Sequence, residues 1–146
     1  MYETVLLPTD GSESMERVLD HARQVAAEGA TVHVLNVVDD RAFLTLHDDL
    51  QADAVAELHG DGEIAVEEAA TVLGEAGLRT ATAVRQGSPA DEILGYVDEH
   101  DVDVIVMGTH GEDFRQNMVG SVSREVVARA SVPVLTVNVG ASSAER

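Results

Sequence analysis

The chain has 146 residues, which is enough for one domain with a substantial core, and we take residues 1–140 as that domain. Asp and Glu number 27 against nine basic residues, all of them Arg, and the resulting charge of −18 argues against binding to nucleic acid or to an anionic membrane. The absence of cysteine excludes disulfides and thiolate chemistry, and no apolar run is long enough to span a bilayer.

The acidic residues are scattered along the whole chain rather than gathered in a tail, so we expect an acidic surface on every side. A small domain with this charge repels itself at low ionic strength, whereas in molar salt the Debye length falls to about 3 Å and the repulsion nearly vanishes. In this respect the chain resembles proteins of halophiles that accumulate KCl. Met1 leads straight into a predicted strand rather than a secretion signal, and we therefore expect a cytoplasmic protein.

The first half of the chain alternates predicted strands with predicted helices. Residues 2–7 form an apolar strand that stops at Pro8-Thr9-Asp10-Gly11, and a helix with apolar residues at helical spacing follows until Gly29. Residues 31–38 are predicted as the second strand, and residues 51–76 as a mostly helical segment. The sequence Gly60-Asp61-Gly62 favours a break or kink in that helix, because each glycine costs about 1 kcal/mol relative to alanine.

The second half continues the alternation. Its clearest local signal is the segment GSPAD, in which Ser88 is predicted as the N-cap of a helix, Pro89 as the first helical residue and Asp91 as the capping partner. The other predicted elements are a strand at residues 79–84, a buried strand at 104–107, a helix from about 121 to 130, and a strand at 132–137. We expect the polar tail, residues 141–146, to be frayed.

This alternation predicts βαβ units, and hence an α/β fold with a parallel sheet covered by helices on both faces. In open sheets of this kind ligands bind beyond the carboxyl ends of the strands, where the winding reverses. If the first and fourth strands are neighbours at that reversal, the residues after both strands line one crevice. These residues are Pro8, Thr9, Asp10, Gly108, Thr109, His110 and Gly111.

A strand, a glycine turn and a hydroxyl-bearing helix start follow one another between residues 104 and 123. Such an arrangement offers backbone N–H groups to an anion, and the glycines leave room for the anion to approach. Ser121 and Ser123 add hydroxyl donors. The spacing alone leaves two interpretations open, a nucleotide-phosphate site or a connector that is rich in glycine for conformational reasons only.

The pattern of titratable residues predicts no catalytic or metal site. The six histidines form no close pair at metal-ligand spacing, and we interpret them mainly as surface residues. His110 is the exception because it lies inside the glycine turn, where it is compatible either with phosphate contact or with an unusual backbone angle. No Ser-His-Asp arrangement is evident, and the P-loop lysine is missing because the chain has no Lys.

Motifs along nearly the whole chain resemble the universal stress protein family. In chain order they are VLLPTDGSE at residues 5–13, LNVVD at 35–39, GSPADEIL at 87–94, VIVMGTHG at 104–111, GSVSREVV at 120–127 and VPVLTV at 132–137. The resemblance implies an open five-stranded parallel sheet in the order 3-2-1-4-5, of the Rossmann-like, adenine nucleotide α-hydrolase-like type. It also implies a homodimer that forms through the last strand, residues 132–138.

The ATP-binding branch of that family has a glycine motif after strand four, and this chain departs from it. Eight residues separate Gly111 from Gly120, where the family pattern has nine. Glu112 and Asp113 stand where the family often has Arg, Lys or Gly, and only Arg115 in this loop is basic. Two carboxylates near a triphosphate oppose its binding, an effect that concentrated salt or a Mg²⁺ ion reduces.

The resemblance implies a role for each candidate residue. Asp10 would meet the adenine or ribose, with Pro8 and Thr9 shaping that wall, while Val37 and Met107 would hold the base between them. Helix capping is the alternative role for Asp10, and a core position is the alternative for Met107. The residues that would surround the phosphates are Gly108, Gly111, Gly120, Ser121, Val122 and Ser123.

The function implied is that of a small dimeric stress-response protein. It would bind ATP, with or without Mg²⁺, and act as a regulatory or protective module toward an unknown protein partner. The alternative is a structural or interaction dimer without nucleotide, which the shortened acidic loop favours. A nucleotide hydrolase ranks last because no residue is placed as a general base, and any ATP hydrolysis would be slow and incidental.

Overall fold

A computed structural model of the chain describes residues 1–9, 15–39, 48–109 and 118–138. Strands and helices alternate along these segments, as the sequence predicts. Their bounds are β1 Tyr2–Pro8, α1 Met15–Val25, β2 Ala26–Val38, α2 Asp48–Glu75, β3 Arg79–Gln86, α3 Pro89–His100, β4 Val104–Thr109, α4 Met118–Arg129 and β5 Val134–Asn138.

The strands form a single parallel sheet with the order β3-β2-β1-β4-β5, which confirms the predicted fold class and strand order. Two apolar cores lie on opposite faces of this sheet. One core packs side chains of α1 and α2 against the sheet, including Val18 and Leu73, and the other packs α3 and α4, including Ile93 and Val126. Alternating strand residues serve the two cores, and Leu6 and Leu7 of β1 face opposite sides. Helices therefore cover both faces, as expected for a parallel sheet.

The boundary between α1 and β2 differs from the sequence prediction. Helix α1 ends at Val25 rather than near Gly29, and β2 starts directly after it at Ala26. Gly29 has a φ of 78° and lies where the β1–β2 ladder is irregular, between the pairs Tyr2–Ala26 and Thr4–Thr31. The glycine thus supplies a left-handed residue inside the strand instead of terminating the helix.

The predicted break in the long helix is wrong, because α2 is continuous from Asp48 to Glu75 through both Gly60 and Gly62. Packing explains why glycine occurs at one of these positions. A Cβ on Gly62 would overlap the amide of Asn36 on β2 and would lie 2.9 Å from its Cγ. Gly62 is therefore a point of close approach between the helix and the sheet rather than a helix terminator.

The cap of α3 is confirmed in position but not in its hydrogen bonding. Ser88 has the extended backbone of an N-cap and Pro89 follows it, yet the Ser88 side chain makes no cap hydrogen bond. The carboxylate of Asp91 instead accepts a hydrogen bond of 2.8 Å from Arg129 on α4. Asp91 therefore links two helices on the same face of the sheet, which the local pattern did not predict.

The last two elements are shifted relative to the prediction. Helix α4 begins at Met118, three residues earlier than predicted, and β5 begins at Val134, just after Pro133. The Pro133 carbonyl accepts a hydrogen bond of 3.0 Å from the Ile105 N–H, so the proline lies at the entry to the strand, where its missing N–H interrupts no ladder. Within the described residues, no helix is both long enough and apolar enough to cross a membrane.

Candidate functional site

The middle of strand β1 pairs with the start of strand β4. Val5 pairs with Val104 and Leu6 with Ile105. Ahead of these pairs, the Asp103 N–H donates a hydrogen bond of 2.8 Å to the Thr4 carbonyl, and the Thr4 N–H donates one of 3.1 Å to the Asp103 carboxylate. We call this part of the two strands, from Thr4 and Asp103 to Leu6 and Ile105, the closed end.

Toward their carboxyl ends the same two strands pair with their outer neighbours. Strand β1 continues along β2, where Pro8 pairs with Leu35 and the Thr9 N–H donates a hydrogen bond of 2.8 Å to the Leu35 carbonyl. Strand β4 continues along β5 as far as the pair of Thr109 with Asn138. Among the described residues the β1–β4 pairing ends at Leu6 and Ile105, and we call the region beyond these pairs, toward Thr9 and Thr109, the β1–β4 opening. It lies at the reversal of winding, where open parallel sheets bind ligands.

Apolar candidates lie on the α3/α4 side of this opening. Met107 belongs to the core on that face and is only 3% exposed, so its role as a core residue is established. Val37 on β2 and Val122 on α4 are half-buried and pack against the same core. The structure thus brings Val37 and Met107 to one face of the sheet, and their contact with a base stays a prediction.

Two polar candidates are well buried. Thr9 is 8% exposed and Ser123 is 3% exposed. Ser123 falls in the second turn of α4, because that helix starts at Met118 rather than at Ser121. Its hydroxyl is therefore further from the start of the helix than the sequence predicted. A direct contact between Ser123 and a phosphate stays a prediction.

Of the remaining candidates, three lie in described helices or strands and three do not. Gly120 and Ser121 lie in the first turn of α4, so Gly120 is part of the helix rather than the residue before it. Gly108 is a buried residue of β4, paired with Val137 of β5. Asp10, His110 and Gly111 lie outside the described residues, as does the acidic loop.

The sequence reasoning missed Asn36 of β2, which contributes a polar contact at the opening. Its side-chain N–H donates a hydrogen bond of 2.8 Å to the carbonyl of Thr9. Its amide also lies against Gly62 of α2. One signal was available, since Asn36 interrupts the apolar run of β2 in the segment LNVVD. A polar residue inside an otherwise apolar strand requires a hydrogen-bond partner.

A cluster of titratable side chains joins β2, β3 and α3 at the level of the closed end, where His33 pairs with Leu6 of β1. His33 Nδ1 lies 2.6 Å from the Tyr96 hydroxyl, and the rings of Tyr96 and His100 stack at 3.9 Å. The Arg85 guanidinium lies 4.8 Å from the centre of the Tyr96 ring. His33 is therefore a half-buried residue with polar partners, which corrects its interpretation as a surface histidine.

The environment of this cluster shifts the pKa of several of its side chains. Burial lowers the pKa of His33, and the neighbouring His100 lowers it further. Burial raises the pKa of Tyr96. A hydrogen bond from Arg85 lowers the pKa of the Glu99 carboxyl. No group of three His, Cys, Asp or Glu side chains in the described part of the chain is arranged to hold a metal ion.

Comparison with known proteins agrees with the fold and with the motifs. Residues 1–138 match the model of the universal stress protein family. Universal stress protein MJ0531 of Methanocaldococcus jannaschii is 32% identical over 140 residues, an alignment that covers 94% of this chain and 82% of the relative.

Solved structures give the same result. The structure of MJ0577, another universal stress protein of M. jannaschii, matches with a TM-score of 0.83 and 27% identity over 94% of this chain and 96% of that one. A universal stress protein solved in complex with cAMP matches with a TM-score of 0.66 and 27% identity over 95% of this chain and 98% of that one. The similarity extends over nearly the full length of each protein.

Proposed function

The chain belongs to the universal stress protein family, and we propose that it binds an adenine nucleotide, ATP, in the β1–β4 opening and acts as a regulatory or protective module. The observation that carries this proposal is the end of the β1–β4 pairing at Leu6 and Ile105, while both strands continue along their outer neighbours. A nucleotide would lie between the carboxyl ends of the two strands, at the reversal of winding. The described residues that would line the opening, from the sequence and the fold together, are Pro8, Thr9, Val37, Met107 and Gly108.

The residues at this opening suit the parts of a nucleotide. Gly108 carries no side chain, so a phosphate or a base edge can approach its backbone. Val37 and Val122 offer apolar surface at the edge of a core, the kind of surface on which a base packs. A universal stress protein of similar fold was solved with cAMP, which shares its adenine, ribose and phosphate groups with ATP.

The charge of the protein sets the conditions in which this binding should occur. With a net charge of −18 the chain repels a polyphosphate at low ionic strength. Molar salt limits the range of that repulsion to a few ångströms. We propose that the protein works in the concentrated salt of a halophile's cytosol. A Mg²⁺ ion that accompanies ATP would be held largely by the phosphates and water, as is usual for this ion.

Dimerisation is the second part of the proposal. Strand β5 pairs with β4 and forms one edge of the described sheet, and a second copy would pair with the other side of this strand. We propose a homodimer through residues 132–138, in which nucleotide occupancy alters a surface that a protein partner binds. Sedimentation of the purified protein at several concentrations tests this part, and a monomer throughout would contradict it.

Turnover is not part of the proposed role. Efficient phosphoryl transfer needs positive charge and a positioned base at the γ-phosphate. The sequence offers no Lys, and Arg115 alone is basic in the glycine loop. We therefore expect ATP to remain bound rather than to be hydrolysed at a rate that would support an enzymatic function.

A calorimetric titration with ATP in molar KCl and Mg²⁺ tests the proposal. The unaltered protein should bind ATP with a dissociation constant in the micromolar range, and Gly108→Val should abolish the heat of binding by filling the opening. Gly95→Ala is the control, because a Cβ at this position of α3 meets nothing within 4 Å. A folded dimer that gives no heat in any variant would contradict ATP binding and favour the nucleotide-free interaction dimer.

A further inference from the structure

Asn36 occupies an unusual place in the sheet. Its side chain lies on the same face of β2 as those of the buried residues Val34 and Val38, and this face is covered by α1 and α2. On that face its amide N–H donates a hydrogen bond of 2.8 Å to the Thr9 carbonyl, at the end of β1. An amide in this position links the end of one strand to the helix layer above it.

Gly62 keeps the Asn36 side chain in this position. A Cβ on Gly62 would overlap the amide oxygen of Asn36 and would lie 3.3 Å from Val84 of β3. The backbone of α2 therefore lies directly against the amide, which leaves the side chain little room to turn away from Thr9. The contrast with Gly60 on the same helix is clear, since a Cβ there meets nothing within 4 Å.

Both main-chain polar groups of Thr9 are thus tied to β2. Its N–H donates to the Leu35 carbonyl, and its carbonyl accepts from Asn36. These two bonds hold the end of β1 against β2, on the side away from β4. They lie beyond the last β1–β4 pair of the described residues, Leu6 with Ile105.

We propose that Asn36, held in place by Gly62, is a positioning residue that keeps the β1–β4 opening formed before nucleotide binds. This inference rests on the proposed function and adds a control point to it, because any shift of α2 at Gly62 would be transmitted through Asn36 to the wall of the opening. A site that is already formed binds more tightly, since the ligand does not have to order it.

A double-mutant cycle tests the connection. Asn36→Ala removes the hydrogen bond and Gly62→Ala displaces the Asn36 amide, so each should weaken ATP binding about tenfold, on the order of one lost hydrogen bond. The double variant should bind no more weakly than Asn36→Ala, because both changes act through the same contact. Gly60→Ala is the matched control and should bind ATP as the unaltered protein does. Asn36→Leu keeps the approximate shape without the donor and should match Asn36→Ala.

Amide hydrogen exchange supplies a readout that does not depend on nucleotide. In Asn36→Ala, Asn36→Leu and Gly62→Ala, exchange of the Thr9 N–H should accelerate, while that of Leu6 should stay unchanged. Overall stability, measured by urea unfolding of the same variants, separates this local effect from a general loss of folding.

Three contrary results would each overturn a different claim. Unchanged ATP affinity in Asn36→Ala and Asn36→Leu, with faster exchange at Thr9, would overturn the role of this contact in nucleotide binding. Equal losses from Gly60→Ala and Gly62→Ala, or additive losses in the double variant, would overturn the connection through Asn36. If the unaltered protein binds no adenine nucleotide, the proposed function fails, and the exchange data alone then decide whether the contact holds the end of β1.

Discussion

The closed end and the β1–β4 opening lie on the same two strands but differ in how the strands pair. At the closed end Thr4 and Asp103 join the strands with two hydrogen bonds, and the buried pair of Leu6 and Ile105 follows. Both strands pair with their outer neighbours here as well, and beyond Leu6 and Ile105 the pairs of the described residues are those with β2 and β5 alone. The closed end therefore stabilises the fold, whereas the proposed binding function belongs to the opening.

The local sequence explains the difference. Residues 104–107 are large and apolar, and such residues fill the cores on both sides of the sheet. Gly108 follows them and offers no side chain for packing. On β1 the corresponding change is from Leu6 and Leu7 to Pro8 and Thr9. The comparison predicts that changes at the closed end alter stability and leave nucleotide affinity of the folded protein intact.

The largest expected effect is that of truncating Ile105. Its side chain is fully buried at the closed end, so Ile105→Ala should lower the free energy of unfolding by about 2–5 kcal/mol. Ile64→Ala is the matched control, because Ile64 on α2 is 59% exposed and its loss should change stability little. Urea unfolding measures both. Equal effects of the two substitutions would contradict the placement of Ile105 in the core.

A smaller effect is expected at the entrance to the closed end. Asp103→Ala removes the acceptor of the Thr4 N–H and should cost about 1 kcal/mol of stability, with ATP affinity unchanged. Asp103→Asn retains an acceptor oxygen and should restore most of that stability. Thermal unfolding and calorimetric titration of both variants give the two readouts. A loss of ATP affinity in Asp103→Ala would show that the two ends are not independent.

The smallest effect concerns pH and the cluster around His33. The pKa of His33 in the folded protein lies below its ordinary value of 6.5, so the unfolded chain takes up this proton first as the pH falls. The contribution of neutral His33 to stability is therefore complete above pH 6.5 and declines below it. The groups that face His33 are Tyr96 and His100 of α3, with Arg85 of β3 beyond the Tyr96 ring.

Unfolding by urea between pH 7.5 and 5.5 tests this expectation. The stability of the unaltered protein should fall more steeply with acidification than that of His33→Asn. Parallel profiles for the two proteins would mean that His33 is not the group responsible.

Much of the fold followed from local patterns in the sequence. The buried run at residues 104–107 and the helix start at GSPAD depend on a few residues of chain, and their positions were predicted correctly. Gly108 was predicted to end the strand, but it continues β4 and pairs with Val137. The strand order came from the family resemblance, and the β1–β4 neighbourhood it implies is what defines the opening.

The errors have a common physical cause, which is contact between distant parts of the chain. Gly62 looked like a helix breaker because its partner, Asn36, is remote in sequence and becomes visible only in the packed structure. Asp91 pairs with Arg129, 38 residues away, instead of capping its own helix. His33 became half-buried because Tyr96 and His100 of α3 pack against it. Tertiary packing of this kind overrides local preference.

Mapping of amide chemical shifts by NMR during a titration with ATP, in molar KCl, tests the central claim most directly. We expect saturable shifts concentrated at Thr9, Gly108 and Thr109, with Thr4 and Asp103 at the closed end unaffected. Saturable shifts centred on another part of the sheet, or no shifts at concentrations well above the micromolar range, would contradict a nucleotide site in the β1–β4 opening.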